Sequence, residues 1–183
     1  MLNIKNIDTD WTLFLDRDGV INYEKQNDYI HNWSEFKFYE GVLDAMAIFS
    51  KKFKHIVVVT NQRGIGKCVT KEEDVIYLHR KMKEEVEENG GRIDAIYYCK
   101  DVDNSSPCRK PNPGMGLQAL KDIPSIDLTK AVMIGNTLSD MQFGKNLGIA
   151  TIFLPTTRPE VNVEDETIDA VSPSLIAFAN NLL

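Results

Sequence analysis

Short apolar or β-branched runs alternate with amphipathic helical segments along almost the whole chain, and few folds accommodate that pattern. Trp11 to Leu15, His55 to Thr60, Ile93 to Cys99, Ala131 to Ile134 and Ala150 to Leu154 read as strands. Gly41 to Lys52 places Val42, Ala45, Met46 and Phe49 at helical spacing. Thr70 followed three residues later by Glu73 is a capping-box signature, and the helix it opens carries Val75, Leu78, Met82 and Val86 on one face before Gly90-Gly91 stops it. Further helices are expected at about Pro113 to Asp122, at Thr137 to Leu147 and, in the tail, at Pro173 to Leu183. Strand and helix taking turns predicts an α/β fold, a Rossmann-like three-layer sandwich with a parallel sheet and helices on both faces. At 183 residues a single domain over 1–183 is expected, without a separate cap domain. The polar segment Tyr23 to Ser34 is expected to form a flap over the site.

Bulk composition narrows the function. Hydrophobic content of 43% and charged content of 26% describe an ordinary globular protein. A net charge of −6 argues against nucleic acid or an anionic membrane as partner, although Arg63, Lys67, Arg109 and Lys110 could still make one pocket positive. No apolar run is long enough to span a bilayer, and Met1 to Asn6 lacks the features of a secretory signal, so a cytoplasmic location is expected. Three cysteines form no closed disulfide framework and fit a reducing compartment.

Chemistry enters at Phe14-Leu15-Asp16-Arg17-Asp18-Gly19-Val20-Ile21-Asn22, where the first strand ends in two carboxylates and a glycine. In open α/β sheets ligands bind at that edge. Alternation along an extended chain lets Asp16 and Asp18 point the same way, concentrating negative charge that a cation, a proton or a reacting group would relieve. Alone, Asp-x-Asp-Gly is equally well a carboxylate turn. Three further signals fall at strand ends or in loops: Thr60-Asn61-Gln62, Arg109-Lys110-Pro111 and Gly135-Asn136-Thr137-Leu138-Ser139-Asp140. Taken singly, Thr60 is a strand-end residue and Arg109-Lys110 a solvated pair; the ordered set is what speaks for a site.

That set resembles the haloacid dehalogenase superfamily of phosphotransferases. Within it the chain resembles most the D-glycero-D-manno-heptose 1,7-bisphosphate phosphatases, with the histidinol-phosphate phosphatases as sister group. Asp28-Tyr29-Ile30, Thr60 to Ile65, Tyr97-Tyr98-Cys99 and Cys108 to Met115 carry the likeness alongside the first motif. The resemblance implies a magnesium-dependent phosphatase in which Asp16 attacks phosphorus to form an aspartyl-phosphate. Asp18 protonates the leaving oxygen and then takes a proton from the hydrolytic water. For this, Asp18 should hold a proton near neutral pH while Asp16 stays ionised. Thr60, and the backbone around Asn61 and Gln62, would donate to phosphoryl oxygens, and Lys110 would offset their charge. Arg109 suits recognition of a second phosphate or of sugar hydroxyls. The expected partner is a small phosphorylated sugar, with no nucleic acid or membrane involved, and a monomer is expected.

Two positions depart from the family pattern. Its metal ligands are the Asp16 carboxylate, the Asp18 backbone carbonyl and an aspartate at the position that here is Asn136, an amide that can bind Mg2+ but brings no charge. Weaker metal affinity is therefore expected, with Asp140 able to restore charge through a water, and a protein that binds phosphometabolites without turnover is the competing reading. The subgroup's loop zinc site survives only as Cys99 and Cys108, so zinc is not expected and both are read as free thiols. Cys68 is read as a small buried or half-buried residue, and His55 and His79 as structural. His31, beside the flap, is a minor candidate for touching substrate.

Overall fold

The computed structural model describes residues 6–183; of the segment read above for a secretory signal, residues 1–5 lie outside the described residues. Six strands form one parallel sheet: β1 (Thr12–Leu15), β2 (His55–Asn61), β3 (Ala95–Cys99), β4 (Ala131–Gly135), β5 (Ala150–Phe153) and β6 (Ala170–Val171), in the spatial order β3-β2-β1-β4-β5-β6. The helices are α1 (Val42–Lys52), α2 (Arg63–Gly66), α3 (Glu72–Glu88), α4 (Gly114–Asp122), α5 (Leu138–Leu147) and α6 (Leu175–Asn180). The α/β fold with an all-parallel sheet expected from the sequence is the one observed.

Every residue of β1 is buried because both sheet faces are covered. Leu13 and Leu15 face one core with Met46 and Phe49 of α1, Met82 of α3 and Phe178 of α6. Phe14 faces the other, with Met115 of α4 and Phe143 of α5. Strand order reverses on either side of β1, so the carboxyl ends of β1, β2 and β4 open onto one crevice, where doubly wound sheets bind ligands.

Several sequence expectations need correction. Thr70 does not cap α3: Lys71 holds the N-cap without a side-chain bond, and the Thr70 hydroxyl is instead hydrogen-bonded to His31 Nδ1 at 2.7 Å. The capping box sits at α5, where Thr137 and Asp140 satisfy each other's backbone N–H groups. The tail helix is shorter than expected, and β6 and α2 add two short elements. Cys99 and Cys108 are not free thiols but disulfide-bonded, because the loop after β3 returns and brings their Cα atoms to 5.5 Å, within bridging range. Cys68 is exposed, on a left-handed backbone (φ 57°) just after α2. No helix among the described residues is long and apolar enough to cross a membrane.

Candidate active site

Asp16, Asp18, Thr60, Lys110 and Asp140 line one cleft of about 320 Å³ at the carboxyl edge of the sheet, with Lys25 and Tyr29 of the flap on its rim. Asp16 follows β1 and donates its N–H to the Ile134 carbonyl of β4 (3.0 Å), which locks it between the two central strands.

Lys110 is the hub of the cleft floor. Its ammonium lies 2.8 Å from Asp16 Oδ1 and 2.6 Å from Asp140 Oδ1, and donates to the Val59 carbonyl at 2.8 Å. Only 4% of Lys110 is exposed, so the charge is held by these three oxygens and not by water. Burial lowers its pKa, but Asp140 and Asp16 more than offset that, and Lys110 stays charged. Asp140 is oriented by its capping role: its second oxygen accepts from the Thr137 N–H (3.0 Å) and hydroxyl (2.7 Å). Asn61 fixes Lys110 from the other side, its amide accepting from the Lys110 N–H (3.0 Å) and donating to the Lys110 carbonyl (3.1 Å). The Asn61 side chain thus positions Lys110.

Asp18 is held differently. Both its oxygens accept from Arg17 Nη2 (2.8 and 2.9 Å), Oδ1 also from Asn22 Nδ2 (2.9 Å), and Oδ2 from Gln62 Nε2 (2.9 Å). Gln62 donates as well to the Thr60 hydroxyl at 2.9 Å, tying the ends of β1 and β2 together. Burial raises the Asp18 pKa, but Arg17 and the bonds from Asn22 and Gln62 outweigh it and hold the carboxyl below its ordinary value. For Asp16, burial dominates: it outweighs Lys110 and, with Asp140 and Asp18 adding repulsion, pushes the carboxyl up to about 7. This order is the reverse of the sequence expectation: burial raises Asp16, and Arg17 lowers Asp18. The Arg17 charge is committed to Asp18, whereas Asp16 shares Lys110 with a second carboxylate.

Asn136, at the end of β4, is fully buried, and its amide donates to the Thr157 hydroxyl at 2.6 Å. Its Oδ1 has no hydrogen-bond partner among the described residues. An orphaned buried amide oxygen and the Asp16 carboxylate are both hard-oxygen donors of the kind magnesium takes, so the chemistry of these residues fits that ion. Gly19 packs directly on this amide: at φ 82°, a Cβ there would lie 2.0 Å from Asn136 Nδ2. At the mouth, Arg109 Nε (3.2 Å) and Arg63 Nη2 (2.6 Å) both donate to Asn104 Oδ1, and burial and Arg63 lower the Arg109 pKa. Two cations sharing one neutral acceptor leave positive charge at the entrance.

The sequence does not single out Arg17, Asn22, Thr157 or Asp140 as a Lys110 partner, and it gives His79 only a structural role. Arg17 was legible in principle. The alternation that turns Asp16 and Asp18 toward the cleft turns the residue between them inward, where an arginine needs partners. His31 ties the flap to the Thr70 turn and bonds Asp28 (3.2 Å).

The profile of the HAD-hydrolase-like family matches residues 107–177. The chain belongs to the haloacid dehalogenase-like hydrolases and is a phosphatase acting on phosphate monoesters. It is 39% identical over 162 residues to the D-glycero-beta-D-manno-heptose-1,7-bisphosphate 7-phosphatase of Photorhabdus laumondii, covering 84% of this chain and 85% of that one. To the D-glycero-alpha-D-manno-heptose-1,7-bisphosphate 7-phosphatase of Campylobacter jejuni it is 39% identical over 142 residues, 78% of this chain and 80% of that one. The crystal structure of D,D-heptose 1,7-bisphosphate phosphatase from B. bronchiseptica, complexed with magnesium and phosphate, superposes with a TM-score of 0.83 at 28% identity, covering 94% and 97% of the two chains.

Proposed function

We propose that this phosphatase removes the C7 phosphate of a D-glycero-D-manno-heptose 1,7-bisphosphate with the help of magnesium, Asp16 accepting the phosphoryl group. The observation that carries this reading is the Asp16–Lys110–Asp140 triad at the carboxyl end of β1: a buried carboxylate facing the cleft with an ammonium at 2.8 Å. The relatives of both anomeric names supply the substrate class.

Phosphate monoesters demand in-line positioning, a nucleophile and charge neutralisation. Asp16 attacks phosphorus as the ester C–O oxygen departs, and the phosphoryl group becomes an acyl phosphate on its carboxylate. The Asp16 carboxylate, the Asp18 carbonyl and the Asn136 amide would hold magnesium, which when bound would supply positive charge favouring the ionised form of Asp16. Lys110 offsets charge on the transferring oxygens, and Thr60 donates to them. Asp18 is ionised in the free protein, so its proton arrives with the substrate: a phosphate brought against two carboxylates raises their proton affinity by repulsion. Asp18 hands that proton to the leaving sugar oxygen and takes one back from the water that hydrolyses the acyl phosphate. Arg109, which lines the cleft, would grip the phosphate remote from the reacting one, with Arg63 beside it at the mouth.

Turnover of both heptose 1,7-bisphosphate anomers and of histidinol phosphate, side by side with and without magnesium, tests the reading. Magnesium-dependent release from a heptose bisphosphate, with histidinol phosphate at least about tenfold poorer in kcat/KM, supports it. Preference for histidinol phosphate overturns the substrate, and binding without turnover overturns the reaction.

A further inference from the structure

We propose that His79, on the buried face of α3, is a positioning residue that acts through Arg17 to fix the carboxylate of Asp18. The inference rests on the reading of Asp18 as the proton carrier.

Arg17 is the largest fully buried side chain among the described residues, and nothing in the sheet core requires an arginine there. Its guanidinium spends Nε and Nη2 on Asp18, at 3.2, 2.8 and 2.9 Å. The remaining nitrogen, Nη1, reaches His79 Nε2 at 2.9 Å. A guanidinium only donates, so His79 Nε2 must be the acceptor, and the ring is a neutral imidazole with its proton on Nδ1. His79 therefore closes the far end of a chain of side chains that runs from α3 to the cleft.

The anchor at that end is rigid. Val75, Leu78, Met82 and Val86 of α3 are fully buried, and the ring of Tyr98 on β3 packs 5.7 Å from the imidazole. Arg17 cannot swing about its Cδ–Nε bond without leaving Nη1 unpartnered in a dry site. A planar fork held at three nitrogens presents Asp18 with a single orientation, which proton transfer to one particular leaving oxygen requires. Sequence reading gives His79 a structural role; its contact with Arg17 gives that role a catalytic consequence at one remove.

The test separates proton delivery from general damage. His79→Leu removes the acceptor, and His79→Gln keeps one in the amide oxygen. Each variant is compared with wild type on the heptose bisphosphate, whose leaving sugar oxygen needs a proton, and on p-nitrophenyl phosphate, whose leaving group departs as an anion. The readouts are the single-turnover rate of transfer to Asp16, KM and the melting temperature. The expected result for His79→Leu is a transfer rate on the sugar substrate about tenfold or more lower, KM within about twofold, and the aryl ester transferred within about twofold of wild type. His79→Gln recovers most of the loss. Equal loss on both substrates, or no loss on either, overturns the proposal. Asp18→Asn is the control: if it spares the aryl ester selectively and His79→Leu does not, the positioning role fails while the reading of Asp18 stands. If Asp18→Asn shows no selectivity, that reading fails and takes this inference with it. Should His79→Leu not fold, nitrogen NMR of the wild-type ring decides: Nδ1 protonation at neutral pH supports the role, and Nε2 protonation overturns it.

Discussion

At the scale of single residues, the site is governed by which cation each carboxylate owns. Asp18 owns Arg17; Asp16 is buried and shares Lys110 with Asp140, so burial, only partly offset by that lysine, pushes its carboxyl up to about 7. Asn136 leaves the proposed magnesium position one charge short of what a carboxylate would supply. Asn136→Asp is therefore expected to lower the magnesium concentration for half-maximal activity by about tenfold, with a matching gain in affinity by calorimetry. An unchanged requirement contradicts that assignment. Gly19 is constrained twice, by φ 82° and by the Asn136 amide, so Gly19→Ala should cost more than about 2 kcal/mol in denaturant unfolding. A cost below about 0.5 kcal/mol would mean that the loop relaxes freely. His79 sets a pH dependence. Burial first, and the Arg17 charge second, lower its pKa from 6.5 to about 3, so below about 6.5 the unfolded chain takes up a proton that the folded one refuses. The stability this group contributes is present above that pH and is lost as pH falls toward 3. Between about pH 7 and pH 4, wild type should lose on the order of 2 kcal/mol more than His79→Gln. Parallel losses would contradict the burial of a neutral imidazole.

At the scale of elements, α5 links fold to chemistry, since the capping box that starts the helix also aims Asp140 at Lys110. Thr137→Ala should cost about 1 kcal/mol of stability, a normal loss for an N-cap, and should also lower kcat because Asp140 loses the hydroxyl donor and keeps only the backbone N–H. A stability loss with kcat intact would confine Thr137 to capping. The elements most legible in the sequence are those decided by periodicity: five strands and the helices between them follow from runs such as Val57-Val58-Val59 and the Val75–Leu78–Met82–Val86 face. Less legible were elements decided by the tertiary surroundings. Ala170–Val171 is a strand only because β5 offers an edge to pair with. Thr70 has a cap signature, yet its hydroxyl is drawn off by His31, and the Cys99–Cys108 pair depends on a loop path that no local spacing specifies.

At the scale of the whole molecule, the crossing order of the sheet gathers residues from chain positions 16 to 140 into one cleft. Asp16, Asp18, Thr60 and Lys110 could be placed from the sequence because each ends a strand or lies in a loop on the same edge. What could not be placed was the second ring around them. Asn61 clamps the Lys110 peptide, Arg17 takes Asp18, and Thr157 holds the Asn136 amide, contacts set by packing between distant segments.

The central claim is covalent transfer to Asp16, and mass spectrometry of protein quenched during single turnover of a heptose 1,7-bisphosphate with magnesium tests it directly. The account predicts one phosphoryl group on the peptide that contains Asp16, absent from Asp16→Asn, which is inactive. Full hydrolytic activity in Asp16→Asn, or phosphate released with no modified peptide under conditions that trap acyl phosphates, would contradict it.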